Sequence, residues 1–519
     1  MSSASSKHYD VVVLGGGIGA LAAAALLARR SWRVLVLGHG WRRPTYQYDG
    51  LTLARRPFTF LAASSPAWGR VLVELAQSQT FRRRLTTLDP MLQILAKDLR
   101  LDVPPDTQLF AREIDREFPA VRRVVDDLYT ELARTNAAAD AAFERDAVWP
   151  PGGFWEKRET QRLLATLPYL DGSDFLAELP RDHAFRDVVT APARFASDLA
   201  DNIPPFALAR LHGAWTRGVS RLAAGEDELV DFLLERVRAH GGEARMQEKA
   251  TELVHKGGKA RGIVVDGDDV PVGVGFVVAD AAQPRLAELA QIDAGRDPDE
   301  PAVDAVGGRF VVSLVVRPEG LPSPLSTESF LLPKKGLSVH LQRSDEASDS
   351  ASVLLVAEAL VPLDETSLAR AREEVLATVF AHLPFLEKHL LVCDSPHDGR
   401  PLWDFRGKSA ADRGVGEKSW GLRAQLVDRA RLRVTGGSLE PEPMVPRYRV
   451  APAQLAGLAG ESLRMPGLGN VFVAGRSVLP ALGQEGELLA AWGVARIITR
   501  TDRRKEKMLR EMWSKVELS

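Results

Sequence analysis

The stretch that most restricts the fold is "DVVVLGGGIGALAAAALLARR", residues 10–30. A short valine-rich run of this kind reads as a buried parallel strand. It enters a loop in which Gly15, Gly17 and Ala20 fit G-x-G-x-x-[GA], with Gly19 beside them. In such a loop the first glycine permits a tight turn and the second lets a diphosphate approach the backbone. The last small residue lets helix and strand pack closely. The alanine-rich helix that follows presents free N–H groups at its amino end. "WRVLVLG", residues 32–38, supplies a second strand at the spacing of a βαβ dinucleotide-binding unit. That strand ends unusually. Where such units carry Asp or Glu to hold a ribose, this chain has Gly38, then His39, Gly40, Trp41, Arg42 and Arg43.

A chain of 519 residues predicts two or more domains. A formal net charge of -2 argues against nucleic acid as a partner. The single cysteine, Cys393, excludes an internal disulfide framework and fits a reducing, cytoplasmic setting, with a buried apolar role as the simplest reading. No secretory signal and no spanning apolar run is read, and no H-E-x-x-H, other metal spacing or G-x-S-x-G occurs. No metal is expected, and the catalytic residues stay unassigned.

The far end supplies a partner for the first unit. "NVFVAG", ending at Gly475, reads as a strand, and Gly483 opens a helix through "GQEGELLAAWGVARIITR". In the middle, Leu229, Phe232, Leu233 and Val237 share one helical face that Gly241-Gly242 stops. A strand and a hairpin turning at Gly257-Gly258 follow. These stretches, in this order, resemble the phytoene-desaturase-like branch of the FAD-dependent amine-oxidase superfamily. "YDGLTL" (48–53), residues 88–132 and "GFVVADAAQPRLAELA" extend the likeness over most of the chain.

The resemblance implies an α/β fold: a Rossmann-like FAD-binding domain (1–85, 215–304 and 451–500) interleaved with an α+β substrate domain (86–214 and 305–450). It implies FAD as cofactor, held by Gly15, Gly17, Gly19, Ala20, Gly38, His39, Arg42, Arg43, Ala250, Gly475, Arg476, Gly483, Glu485 and Gly486. It also implies hydride transfer between flavin and an apolar, polyene or lipid-like small molecule, in desaturation, saturation or isomerisation. Glu485 has two readings, a base at the flavin's polar edge or a helix cap. Trp149, Trp155, Trp215 and Trp403 also have two, a tunnel wall or core packing.

The family's flavin-contact motifs are altered. Its ribose acid is Gly38, its basic-Gly-Gly-Arg nest is "WRRPTYQY", its Asp-x-Gly-Pro is "ARRP" (54–57), and its Gly-Asp is Gly475-Arg476. Three readings follow: a ligand richer in phosphate, FAD held by other groups, or a site that has lost its flavin. The second class of function is therefore a catalytically degenerate relative acting as a binding or scaffold protein. Residues 501–519 read as a basic amphipathic helix. Its apolar stripe, Met508, Leu509, Met512, Trp513 and Val516, suits either a membrane surface or a docked position. The oligomeric state is left open.

Overall fold

The computed structural model describes residues 7–268, 270–293, 300–344, 352–407, 420, 424–429, 432 and 441–501. The tail helix expected at 501–519 lies outside them apart from Thr501. Among the described residues no helix is long and apolar enough to cross a membrane.

β1 (His8–Leu14), α1 (Ile18–Arg29) and β2 (Val34–Leu37) form the amino-terminal βαβ unit. β1 also pairs in parallel with the strand Val272–Ala279, which pairs with Val471–Val473, and β2 pairs with Glu243–Arg245. The hairpin Ala250–His255 and Ala260–Val265 completes this seven-stranded sheet with an antiparallel edge. Val11–Leu14 and Val34–Leu37 are apolar without alternation because both faces of the sheet are covered. Ile18 to Ala28 of α1 are buried throughout, between the helices Gly225–Ala239 and Gly483–Arg500. Small side chains are what permit that approach. A Cβ on Gly19 would lie 2.9 Å from the Glu487 carbonyl oxygen and would overlap that of Ala474.

The second sheet has ten strands. Its longest strand, Ala302–Val316, is flanked by antiparallel Val353–Pro362 and Leu390–Asp394. The hairpin Leu92–Ala96 and Leu99–Val103 forms one edge. The helix Glu365–His382 covers one face through Val375, Leu376 and Val379. Helices Arg122–Phe143, Phe185–Ala196 and Pro205–Thr216 pack near the Leu92–Val103 edge, around Phe185, Trp215 and Phe330. The chain leaving β2 crosses to this second sheet. Its hairpin, Thr45–Tyr48 and Leu51–Ala54, packs on Val311, Val315 and Val392, and the Ala54 N–H donates to Ser313 Oγ at 2.8 Å. Residues 38–58 are thus stretched between the two sheets, which decides where their arginines go.

Two glycines test the packing argument with opposite signs. Gly19→Ala should lower stability by about 1–3 kcal/mol, because the new methyl meets two carbonyl oxygens. Gly69, inside the helix Pro66–Glu74, has nothing within 4 Å of an added Cβ. Gly69→Ala should therefore raise stability by about 0.5–1 kcal/mol. Urea denaturation of the two variants checks both.

Candidate functional site

The loop between β1 and α1 has the predicted form. Gly15 takes φ +104, which favours glycine, and Gly17 is the first flank of α1. The space over it is taken by Asp280, the residue that follows Val272–Ala279. Its backbone N–H donates to the Leu14 carbonyl at 2.8 Å, so the side chain stands directly over the glycine loop. The Asp280 carboxylate lies against the Gly17 backbone. A Cβ on Gly17 would overlap Asp280 Oδ2, and one on Gly475 would lie 2.8 Å from Oδ1. One turn further in, the Gly19 N–H donates to Glu487 Oε2 at 3.4 Å. Two carboxyl groups of the chain, the half-buried Asp280 and the buried Glu487, therefore stand at the anion-binding end of α1. Burial raises the Asp280 carboxyl against the pull of Arg476, and it raises the Glu487 carboxyl to about 8.

The neighbouring subsites are filled in the same way. The indole of Trp41 lies on Gly16, where a Cβ would overlap its ring. At the end of β2, a Cβ on Gly38 would overlap the Met246 carbonyl, so main chain stands where a ribose acid would project. His39 turns its side chain to the backbone of Ala250, which is itself buried, and burial lowers its imidazole. Arg42 and Arg43 leave the groove: Arg42 pairs with Glu442 at 2.8 Å and Arg43 with Asp227 at 2.9 Å. Arg56 is bound by Glu226 through two hydrogen bonds, the Nη2 one at 2.9 Å.

The far-end helix closes on protein too. A Cβ on Gly483 would overlap the Ala196 carbonyl, and one on Gly486 the Leu479 carbonyl. Glu485 is neither a free base nor a helix cap. Ser65 Oγ donates to it at 2.6 Å and Arg210 grips it with two hydrogen bonds at 2.7 Å. Burial pushes its carboxyl up, and Arg210 more than reverses this, leaving it below its ordinary value. Arg476 donates to Asp198 at 3.2 Å and stands 3.7 Å from Glu487. Burial alone would lower its guanidinium; Asp198, Glu487 and Asp280 raise it.

Of the residues expected at a flavin, Gly15, Gly17, Gly475 and Arg476 do converge, but around Asp280. Gly19 meets Glu487, and Ala20 is buried in α1 packing. Arg42, Arg43 and Glu485 are drawn elsewhere. FAD needs the α1 N–H groups and the space over Gly16, Gly17 and Gly38. In this arrangement the residues do not fit it. Sequence reasoning passed over Asp280, Glu487, Trp41 and Glu226. The available signal was an acid directly after a valine-rich strand (Asp280) and an acid among small apolar helix residues (Glu487).

One cavity of about 80 Å³ remains where the two sheets meet. Arg56, Glu226, Arg309, His340, Glu358 and Arg476 give it charged walls. Trp215 lines it as well, whereas Trp149 and Trp403 are core residues and Trp155 is exposed. His340 is stacked on Phe330 at 4.8 Å between ring centroids and lies 2.7 Å from Glu328 and 3.8 Å from Glu358.

The model of the NAD(P)-binding Rossmann-like domain family matches residues 13–75. Three solved structures share the fold. An oxidoreductase from Methanosarcina mazei is 15% identical, with a TM-score of 0.56, over 94% of this chain and 100% of its own. A protein from Pyrococcus furiosus is 13% identical at 0.51, over 94% and 97%. A putrescine oxidase redesigned in cofactor binding is 15% identical at 0.52, over 95% and 99%. No curated protein matches. The chain has a Rossmann-like domain within an α/β fold shared with these structures.

The buried imidazole gives a pH prediction. Burial alone would lower His340, but hydrogen bonds and charge from Glu328 and Glu358 carry it to about 9. A group raised on folding stabilises most below its unfolded value, about 6.5, and loses that contribution as pH rises through 9. Urea midpoints should therefore fall between pH 6.5 and 9. His340→Gln should flatten that slope.

Proposed function

We propose that this chain is a flavin-free binding protein built on the fold of flavin oxidoreductases. The observation that carries this reading is the Asp280 carboxylate lying against Gly17, supported by the Gly19 N–H donating to Glu487. The helix end that would hold a diphosphate has carboxyl groups of the chain itself against it. An isolated anion-binding end would instead face open space.

The competing reading is an FAD-dependent oxidoreductase acting on an apolar molecule. The fold neighbours and the G-x-G-x-x-A loop favour it. It requires Asp280, Trp41 and the Met246 backbone to leave the groove together, and it places an apolar substrate beside Arg56, Arg309, Arg476 and His340. Burying apolar surface against such groups forfeits their solvation without a hydrogen bond in return. The charged lining supports a polar ligand better.

An absorbance spectrum separates the two. The purified protein should be colourless and should gain no bound flavin when excess FAD is added and removed by gel filtration. Stoichiometric flavin would overturn the reading. The double variant Asp280→Ala, Trp41→Ala exposes the helix end and should bind FAD measurably for the first time. Gly38→Glu should not improve binding, because its side chain would meet the Met246 carbonyl.

A further inference from the structure

We propose that the cavity between Arg56, Arg309 and Arg476 binds a small oxyanion, a carboxylate or phosphate group, with Arg476 as its principal contact. The inference rests on the flavin-free reading, since a flavin ring would claim part of the same space.

The cavity walls carry four cationic groups, Arg56, Arg309, Arg476 and His340, against two carboxylates, Glu226 and Glu358. That leaves an excess of two positive charges. The acids are already engaged. Glu226 is taken by both hydrogen bonds of Arg56, and Glu358 is shared by Arg309 at 3.3 Å and His340 at 3.8 Å. Asp198 and Glu328 offset the excess overall, but neither lines the cavity, so the positive groups face it and the acids stand behind.

The cations, in contrast, have donors to spare. Arg476 keeps 31% of its side chain accessible, and its one hydrogen bond among the described residues is the 3.2 Å contact to Asp198. A guanidinium has five N–H donors in a fork that matches a carboxylate or phosphate. Its second neighbour, Glu487, stands 3.7 Å away, and burial raises its carboxyl. Arg309 is 8% exposed in its side chain. Its terminal nitrogens are bonded to Phe195, Ser197, Asp198 and Glu358, while its buried Nε has no partner. Such a donor costs free energy until an acceptor reaches it.

Size sets the class. A volume of about 80 Å³ is below the roughly 300–1,000 Å³ of cofactor-sized pockets. It has room for a few waters, the scale of one small oxyanion.

The test is calorimetric titration of the full chain with inorganic phosphate and, separately, with acetate. Ionic strength is held constant with chloride. One of the two should bind saturably at one per chain, and the tighter of them identifies the source of the oxyanion. Arg476→Gln should weaken that binding at least tenfold. Glu226→Gln removes a wall charge and releases Arg56, so it should tighten binding severalfold. Absence of saturable binding by both anions overturns the proposal, as does unchanged affinity in Arg476→Gln. If Arg476→Gln loses its native circular dichroism, Glu226→Gln decides, and equal or weaker affinity there overturns it. The absorbance spectrum of the same wild-type sample reads flavin independently, so failure of the flavin-free reading and failure of the anion site are told apart.

Discussion

The structure depends on how the amino end of α1 is satisfied. Its free N–H groups and positive dipole end sit at the centre of the seven-stranded sheet, between two other helices. They need hydrogen-bond acceptors. Glu487 supplies one to the Gly19 N–H, the Asp280 carboxylate lies against Gly17, and Arg476 stands 3.7 Å from Glu487. From there alternating charges run toward the second sheet: Arg476 to Asp198, Asp198 to Arg309, Arg309 to Glu358, Glu358 to His340, His340 to Glu328. Breaking one partner out of such a buried series leaves an uncompensated charge, which is far costlier than losing an exposed pair. The two sheets are therefore coupled by electrostatics as well as by apolar contact.

Much of the fold could be read from residue pattern. The valine run of β1, the alanine run of α1 and the helix from Gly225 to Ala239 follow directly from covered faces and helical spacing. The departures at Gly38, Arg42, Arg43 and Arg476 were legible as well, as a loss of acid from places where a ribose or flavin is usually held. What could not be read was where the compensating acids come from. Asp280 is far from Gly17 in sequence and next to it only because β1 and Val272–Ala279 run in parallel register, Leu14 opposite Ala279. The destinations of Arg42 and Arg56 depend on the hairpin at 45–54 crossing to the second sheet, a tertiary fact that no local pattern encodes.

The glycine fingerprint shows how one sequence pattern can serve two ends. Gly17 and Gly475 lack side chains because something approaches their backbone closely. In a nucleotide-binding protein that is a phosphate. Here it is a carboxylate of the same chain. Gly38 likewise makes room for the Met246 carbonyl, and Gly483 for that of Ala196. The requirement for glycine is steric and indifferent to what occupies the space, so the motif survives a change of occupant.

The carboxylate over Gly17 also bears on how the cell obtains this protein in folded form. A protein whose core polar groups are completed by a bound cofactor gains stability in proportion to cofactor concentration, through mass action. Its mature fraction then follows vitamin supply. With Asp280 and Glu487 contributed by the same chain, their effective concentration is fixed by the covalent backbone. On the flavin-free reading proposed above, completing this helix end needs no small molecule to arrive.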